Sequence, residues 1–200
     1  MFRLNGLYPN QTAWIVGKGP SLGNLRAEHI GEGIVIALNQ AVAVVERLGI
    51  PNTIYSFQKD GCGKRAPHNE CQFQNGVEWM LYPKRAVLIL QAPGFSEHCL
   101  RGYEPTYFVN PRKDLGFERH DTMAVRMGIK MAKQMGCTEI VMVACDSLVN
   151  GRLETFDVHK KISYLTPARH NYGHTKAQVL QELKSVKSRL LIPEPLKEMA

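Results

Sequence analysis

The stretch AWIVGKGPSLGNL, residues 13–25, decides how the rest of the chain is read. Trp14, Ile15 and Val16 form a short apolar run that Gly17 and Gly19 interrupt. Pro20 and Ser21 then open a helix, where a proline costs nothing because the first helical N–H has no partner anyway. The pattern is strand, tight turn, helix. Glycines let the backbone pass close to a ligand, and open N–H groups at a helix start, with the positive end of its dipole, suit a phosphate. The turn is therefore expected to hold a nucleotide at the end of the first strand.

Spacing sets this turn apart from two common phosphate loops. A Walker loop closes on Gly-Lys-Ser or Gly-Lys-Thr, whereas Lys18 lies between two glycines. The dinucleotide fingerprint would need its third glycine one residue before Gly23, and an acid after the second strand, where Asn39 stands instead. An ordinary ligand-free turn has the same glycine spacing, so the surrounding chain has to decide.

Residues 33–38 give a second buried strand. Ala41, Val44, Val45 and Leu48 recur at helical spacing until Gly49 and Pro51 stop them, and residues 52–57 read as a third strand. Strands alternating with helices this closely imply a parallel sheet, and ligands of such sheets bind beyond the carboxyl ends of the strands. The segments expected at that edge are Gly17, Lys18, Gly19, Pro20 and Ser21, then Asn39 and Gln40, then Gln58 to Asp60.

Residues 61–84 are polar and turn-rich without a sustained period, an insertion over the sheet. Cys62, His68 and Cys71 are not spaced as a zinc knuckle, and a fourth ligand would have to come from His98 or Cys99, so no metal is expected. Residues 86–91 and 106–109 are further strands. Ala124, Met127, Gly128, Met131, Ala132 and Met135 then share one helical face, capped by Asp121 or Thr122 and ended by Gly136. A methionine stripe of this kind packs a core. The strand 139–144 follows and brings Asp146 to the ligand edge, where it can bind a ribose hydroxyl or a metal, or cap its own turn.

Residues 148–170 read as an irregular lid carrying Lys160, Lys161, Tyr164 and Arg169, groups that can contact an anion. After Tyr172, His174 precedes a helix bearing Val179, Leu180, Leu183 and Val186, and a last strand covers 189–192. A lone histidine near a helix start is, by itself, ordinarily a cap or a surface residue. At this edge, imidazole is also the side chain best matched to taking a proton from a hydroxyl near neutral pH.

The bulk numbers agree with one α/β domain over 1–200. Two hundred residues with 44% hydrophobic content bury a substantial core. No apolar run is long enough to cross a bilayer, and MFRLNGLYPNQ lacks the apolar segment of a signal peptide, so a soluble, cytoplasmic chain is expected. Five cysteines, two of them in apolar segments, fit reduced thiols. The net charge of +7 favours anionic partners, nucleic acid among them, although the basic residues are scattered without aromatic interleaving and most read as solvated surface.

Taken together, GKGPSL, ALNQ, EIVMVACDSLVNG and YGHTK before a helix resemble the bacterial lipooligosaccharide sialyltransferases of glycosyltransferase family forty-two. They also resemble the wider group of GxGPSL proteins, which includes pterin pyrophosphokinases. The resemblance implies a Rossmann-like three-layer sandwich with a mainly parallel sheet and a lid. It further implies a metal-independent transferase that takes a sugar from a nucleotide-sugar donor, such as a CMP-sugar, to an acceptor hydroxyl on a glycan or another compound.

By the same resemblance, Gly17, Gly19, Pro20 and Ser21 match the donor-phosphate turn, Asn39 and Gln40 a donor-contacting pair, Thr122 a small hydroxyl position, and His174 the general base. Asp146 matches the acid that ends the late strand. Gln58, Arg169 and Tyr172 join the donor-binding set from their places at the edge and in the lid. Lys18 stands where the family has Asn, adding positive charge near a phosphate. Leu148 and Glu154 fall in the region of the family's two tyrosines, whose work would pass to Tyr164, Tyr172, Arg169 or a lid lysine.

Two readings stand beside the transferase. A pterin-type pyrophosphokinase would hold Mg²⁺ between Asp60 and Asp146. A non-catalytic relative would bind nucleotide or nucleic acid and perform no chemistry.

Overall fold

In the computed structural model, the described residues are 4–59, 84–91, 107–118, 123–151, 154–157, 161–165 and 172–195. The strands in chain order are β1 (Thr12–Val16), β2 (Ile34–Leu38), β3 (Thr53–Gln58), β4 (Val87–Gln91), β5 (Tyr107–Val109), β6 (Glu139–Val143), β7 (Glu154–Asp157), β8 (Ile162–Leu165) and β9 (Lys187–Leu191). The helices are α1 (Ala41–Val45), α2 (Ala124–Gln134), α3 (Ser147–Asn150) and α4 (Tyr172–Leu183).

Seven strands form one parallel sheet in the order β5-β4-β3-β2-β1-β6-β9, and β7 pairs with β8 in a separate antiparallel hairpin. The expected α/β, mainly parallel architecture is the observed one. The chain starts at β1, winds outward through β2 to β5, then returns to the other side of β1 as β6. The order therefore reverses between β1 and β6, and a crevice between strand ends opens at such a switch point.

Alternation explains why both faces of this sheet are covered. Ile15, Ile36, Phe57 and Met142 point to one face, where Met127, Ile129 and Met131 of α2 meet them. Trp14, Val16, Val35, Ala37, Val141 and Val143 point to the other, against Leu22, Leu25 and α1. Every residue of β2 is buried, as a central parallel strand requires. Met127, Met131 and Met135 are fully buried, so the methionine stripe is core. Gly128 lets α2 lie close to the sheet, because a Cβ there would stand 3.3 Å from both Ile15 and Leu38.

Several expected boundaries change. Residues after the glycine turn form a five-residue 3-10 turn, Pro20–Asn24, instead of an α-helix. Gly23 and Asn24 are poor helix formers, and a helix this short cannot recover the cost of its first turn. Gln58 belongs to β3, and the last strand begins two residues early, at Lys187. The described part of the lid segment is not irregular: it forms α3 and the β7–β8 hairpin, where the β-branched and aromatic residues Thr155, Phe156, Ile162 and Tyr164 are types that strands favour. His174 lies inside the first turn of α4 and not before it. No helix among the described residues is long and apolar enough to cross a membrane.

Candidate functional site

The bend at residues 17–21 is built on the end of β6. Gly17 N donates to Val143 O and Gly19 N to Ala144 O, each at 2.8 Å. Ser21 N donates to Asp146 Oδ1 at 3.1 Å, and Ser21 Oγ donates to Asp146 Oδ2 at 2.8 Å. Leu22 N closes the 3-10 turn on Gly19 O, and Pro20 has no N–H to give. The N–H groups expected to cradle a phosphate are thus engaged within the chain at Gly17, Gly19, Ser21 and Leu22. A five-residue 3-10 turn also lacks the dipole of a long helix.

The packing beneath the bend by itself requires glycine at both positions. A Cβ on Gly17 would stand 2.8 Å from both Ala144 O and Cys145 Sγ, and one on Gly19 would enter the Asp146 carboxylate. The end of β6 is itself strained to meet the bend: Ala144 takes φ +50°, a left-handed conformation that costs a residue with a side chain roughly 1–2 kcal/mol. That conformation turns the Ala144 carbonyl towards Gly19 N. Beneath it, burial, with a smaller contribution from the Asp146 charge, pushes the Cys145 thiol up to about 12, so it is an inert packing group.

Lys18 stands at the crest of the bend. Its ammonium donates to Gln40 Oε1 at 3.3 Å, joining the ends of β1 and β2, and its carbonyl accepts from Phe156 N of the hairpin at 2.7 Å. The Phe156 ring lies over Gly23, where a Cβ would stand 2.9 Å from it. The bend is therefore held from below by β6 and from above by the hairpin.

Asn39, just after β2, also takes a left-handed conformation, φ +51°, tolerated because its Oδ1 accepts from Lys59 N at 3.0 Å. Gln58 is fully buried beside it. Its Nε2 donates to Asn39 O at 3.1 Å and to Ser56 Oγ at 2.6 Å, and its Oε1 has no hydrogen-bond partner. Gly17, Lys18, Gly19, Pro20, Ser21, Asn39, Gln40, Gln58 and Asp146 thus line up along the carboxyl ends of β1, β2, β3 and β6.

Thr122 and Arg169 lie outside the described residues, as do Asp60, residues 61–83, His98, Cys99 and the side chains of Tyr164, Tyr172 and His174. The backbone of α4 is described, and it leads into β9 at the amino edge, where Lys187 pairs with Glu139. Its twelve residues span about 18 Å, so its first turn, with His174, starts towards the carboxyl edge. It approaches on the α2 face: Arg126 donates to Gln178 and Glu182, and Val179 enters that core. The bend and the hairpin belong to the opposite face.

An open groove of about 520 Å³ at the amino edge gathers Lys133, Lys184 and Lys187. Lys133 donates to the carbonyl of Glu182 in the last turn of α4, and Lys187 to Glu139. Two of its lysines thus hold a helix end and a strand carboxylate, uses that the sequence alone left as solvated surface.

Sequence reasoning missed the Ser21–Asp146 pair, the strain at Ala144 and the docking of Phe156 on Lys18. The partners of the first lie 125 residues apart, and no local pattern marks such a contact. No protein-family model, no curated protein and no solved structure significantly matches this chain.

Proposed function

We propose that this chain is a sialyltransferase-like glycosyltransferase that binds a nucleotide-sugar donor along the carboxyl edge of β1, β2 and β3. What supports this most is a single arrangement: the 17–21 bend meets the end of β6 where the strand order reverses, and Lys18 of that bend reaches Gln40, which with Asn39 stands at the neighbouring end of β2. Because the bend's N–H groups are engaged, the donor phosphate is met by the Lys18 ammonium, a point charge set between β1 and β2. Gln40 and Asn39 contact the sugar-nucleotide from the end of β2. His174 takes the proton from the acceptor hydroxyl as that oxygen attacks the anomeric carbon and the nucleotide departs. Holding donor and acceptor side by side supplies much of the remaining rate.

The test has two steps. A thermal-shift screen against CMP, UMP, GDP and ATP should single out one nucleotide. A ligand at a hundred times its Kd stabilises by about 2.7 kcal/mol, a rise of roughly 5–10 °C for a chain of this size. The matching nucleotide sugar should then be hydrolysed slowly, and His174→Ala should lower that rate by about a hundredfold or more while keeping the thermal shift. Equal rates in wild type and variant would remove His174 from the mechanism. Binding without turnover would assign a nucleotide-binding module, and Mg²⁺-dependent consumption of ATP the pyrophosphokinase alternative.

A further inference from the structure

The place of Asp146 at the ligand edge suggests an acid that binds substrate or metal, but its surroundings give it other work. Each carboxylate oxygen accepts from Ser21, Oδ1 from the backbone N–H and Oδ2 from the hydroxyl. Ser21 is only 5% exposed, so this pair closes on the buried side of the bend. The fit is tight enough that Gly19 has no room for a Cβ beside the carboxylate. Asp146 is also the residue from which α3 starts, and Val149 N and Asn150 N both donate to its carbonyl. One residue thus anchors α3 through its backbone and the 17–21 bend through its side chain.

We propose that Asp146 is a positioning residue, whose carboxylate fastens the 17–21 bend to the end of β6 and thereby fixes Lys18 beside Gln40. Whatever anion the edge accepts, Asp146 acts on it through the bend and not by contact. The carboxylate is matched to two donors on one residue: a backbone N–H that can only donate and a hydroxyl that can do either. This makes the proposal separable from a direct role for the charge. In Asp146→Asn the amide oxygen still accepts from Ser21 N, while the amide nitrogen donates to Ser21 Oγ, now the acceptor. The fastening survives and the charge is gone.

The experiment compares Asp146→Asn, Asp146→Ala, Ser21→Ala and the Asp146→Ala/Ser21→Ala double variant. It reads three quantities: urea midpoint, exchange of the Ser21 amide hydrogen, and affinity for CMP as the probe nucleotide. Asp146→Asn should keep the Ser21 amide protected and CMP affinity within about twofold of wild type, because the amide replaces both bonds. Asp146→Ala should speed exchange at Ser21 by about tenfold or more and weaken CMP by a similar factor, since the bend loosens under Lys18. The two alanine changes together should cost less than the sum of each alone, the mark of a shared contact.

Normal stability with a tenfold or greater loss of CMP affinity in Asp146→Asn would overturn the proposal and make the charge a ligand contact. Additive alanine effects with unaltered Ser21 exchange would overturn it as well. If CMP binds none of the proteins, the nucleotide reading fails, while amide exchange and the double-variant comparison still decide the fastening.

Discussion

Replacing Gly19 by alanine sets two opposed effects against each other at one residue. Gly19 has φ −67° and ψ 167°, an extended conformation open to any residue. By backbone entropy alone, Gly19→Ala would stabilise the protein by up to about 1 kcal/mol, because the unfolded chain loses freedom. The surroundings oppose this. The added Cβ would overlap the Asp146 carboxylate, standing 2.7 Å from its Cγ and 2.8 Å from Ala144 O.

Ala144 O is backbone in a strained turn and has little room to retreat, so the carboxylate must swing away and break both hydrogen bonds to Ser21. Bonds to a charged group are worth roughly 1.5–3 kcal/mol each, and the lower figure suits a partly buried pair, giving about 3 kcal/mol lost. The net effect is a loss of about 2–3 kcal/mol. In urea that lowers the midpoint by about 1 M for a slope of 2–3 kcal/mol per M. The same change in an Asp146→Ala background should cost less than about 1 kcal/mol, since only the Ala144 contact remains. A midpoint at or above wild type for Gly19→Ala, or an equal loss with and without Asp146, would refute the argument that the carboxylate is what forbids a side chain there.

Two further outcomes follow from the same end of β6. Ala144→Val, which puts a β-branched side chain at φ +50° in a fully buried position, should lower stability by about 2–3 kcal/mol in urea unfolding, whereas Ala144→Gly should change it by less than about 1 kcal/mol because relief of strain offsets the lost methyl; equal effects would mean the left-handed turn carries no strain. Burial raises Cys137 to about 11 and Cys145 to about 12, from an ordinary 9.0. Both folded-state values are raised, so this contribution is fully present below pH 9 and is lost above it, where the unfolded chain releases protons that the folded chain retains. Between pH 9 and 10 the two thiols should together remove about 2 kcal/mol, a difference that shrinks in a Cys137→Ala/Cys145→Ala protein, read by urea unfolding at each pH.

How much of this was legible beforehand differs from element to element. The fully buried β2 announces itself as an unbroken apolar run between turn residues, and the stripe of Met127, Met131 and Met135 by the helical spacing that burial of one face leaves. So does the carboxyl edge, once the strands are known to be parallel, since every strand then ends on the same side. The helix expected after Pro20 failed for a local reason, the weak propensity of Gly23 and Asn24. The hairpin was harder to see, because β7 and β8 are each only four residues long, too short to show alternation against a polar background.

The amino-acid sequence by itself determined the layers of this protein, the direction of its sheet and, to within about two residues, the ends of its strands, because those follow from spacing within segments and from the alternation of strands with helices. Only the tertiary structure decided what the strand ends do. Gly17 and Gly19 read as openings for a phosphate, yet they are narrow because Ala144, Cys145 and Asp146 come up beneath them. Asp146 read as an acid awaiting a ligand, yet its oxygens meet Ser21. A donor or acceptor is the same atom whether its partner is solvent, substrate or a distant part of the chain, and folding alone selects among them.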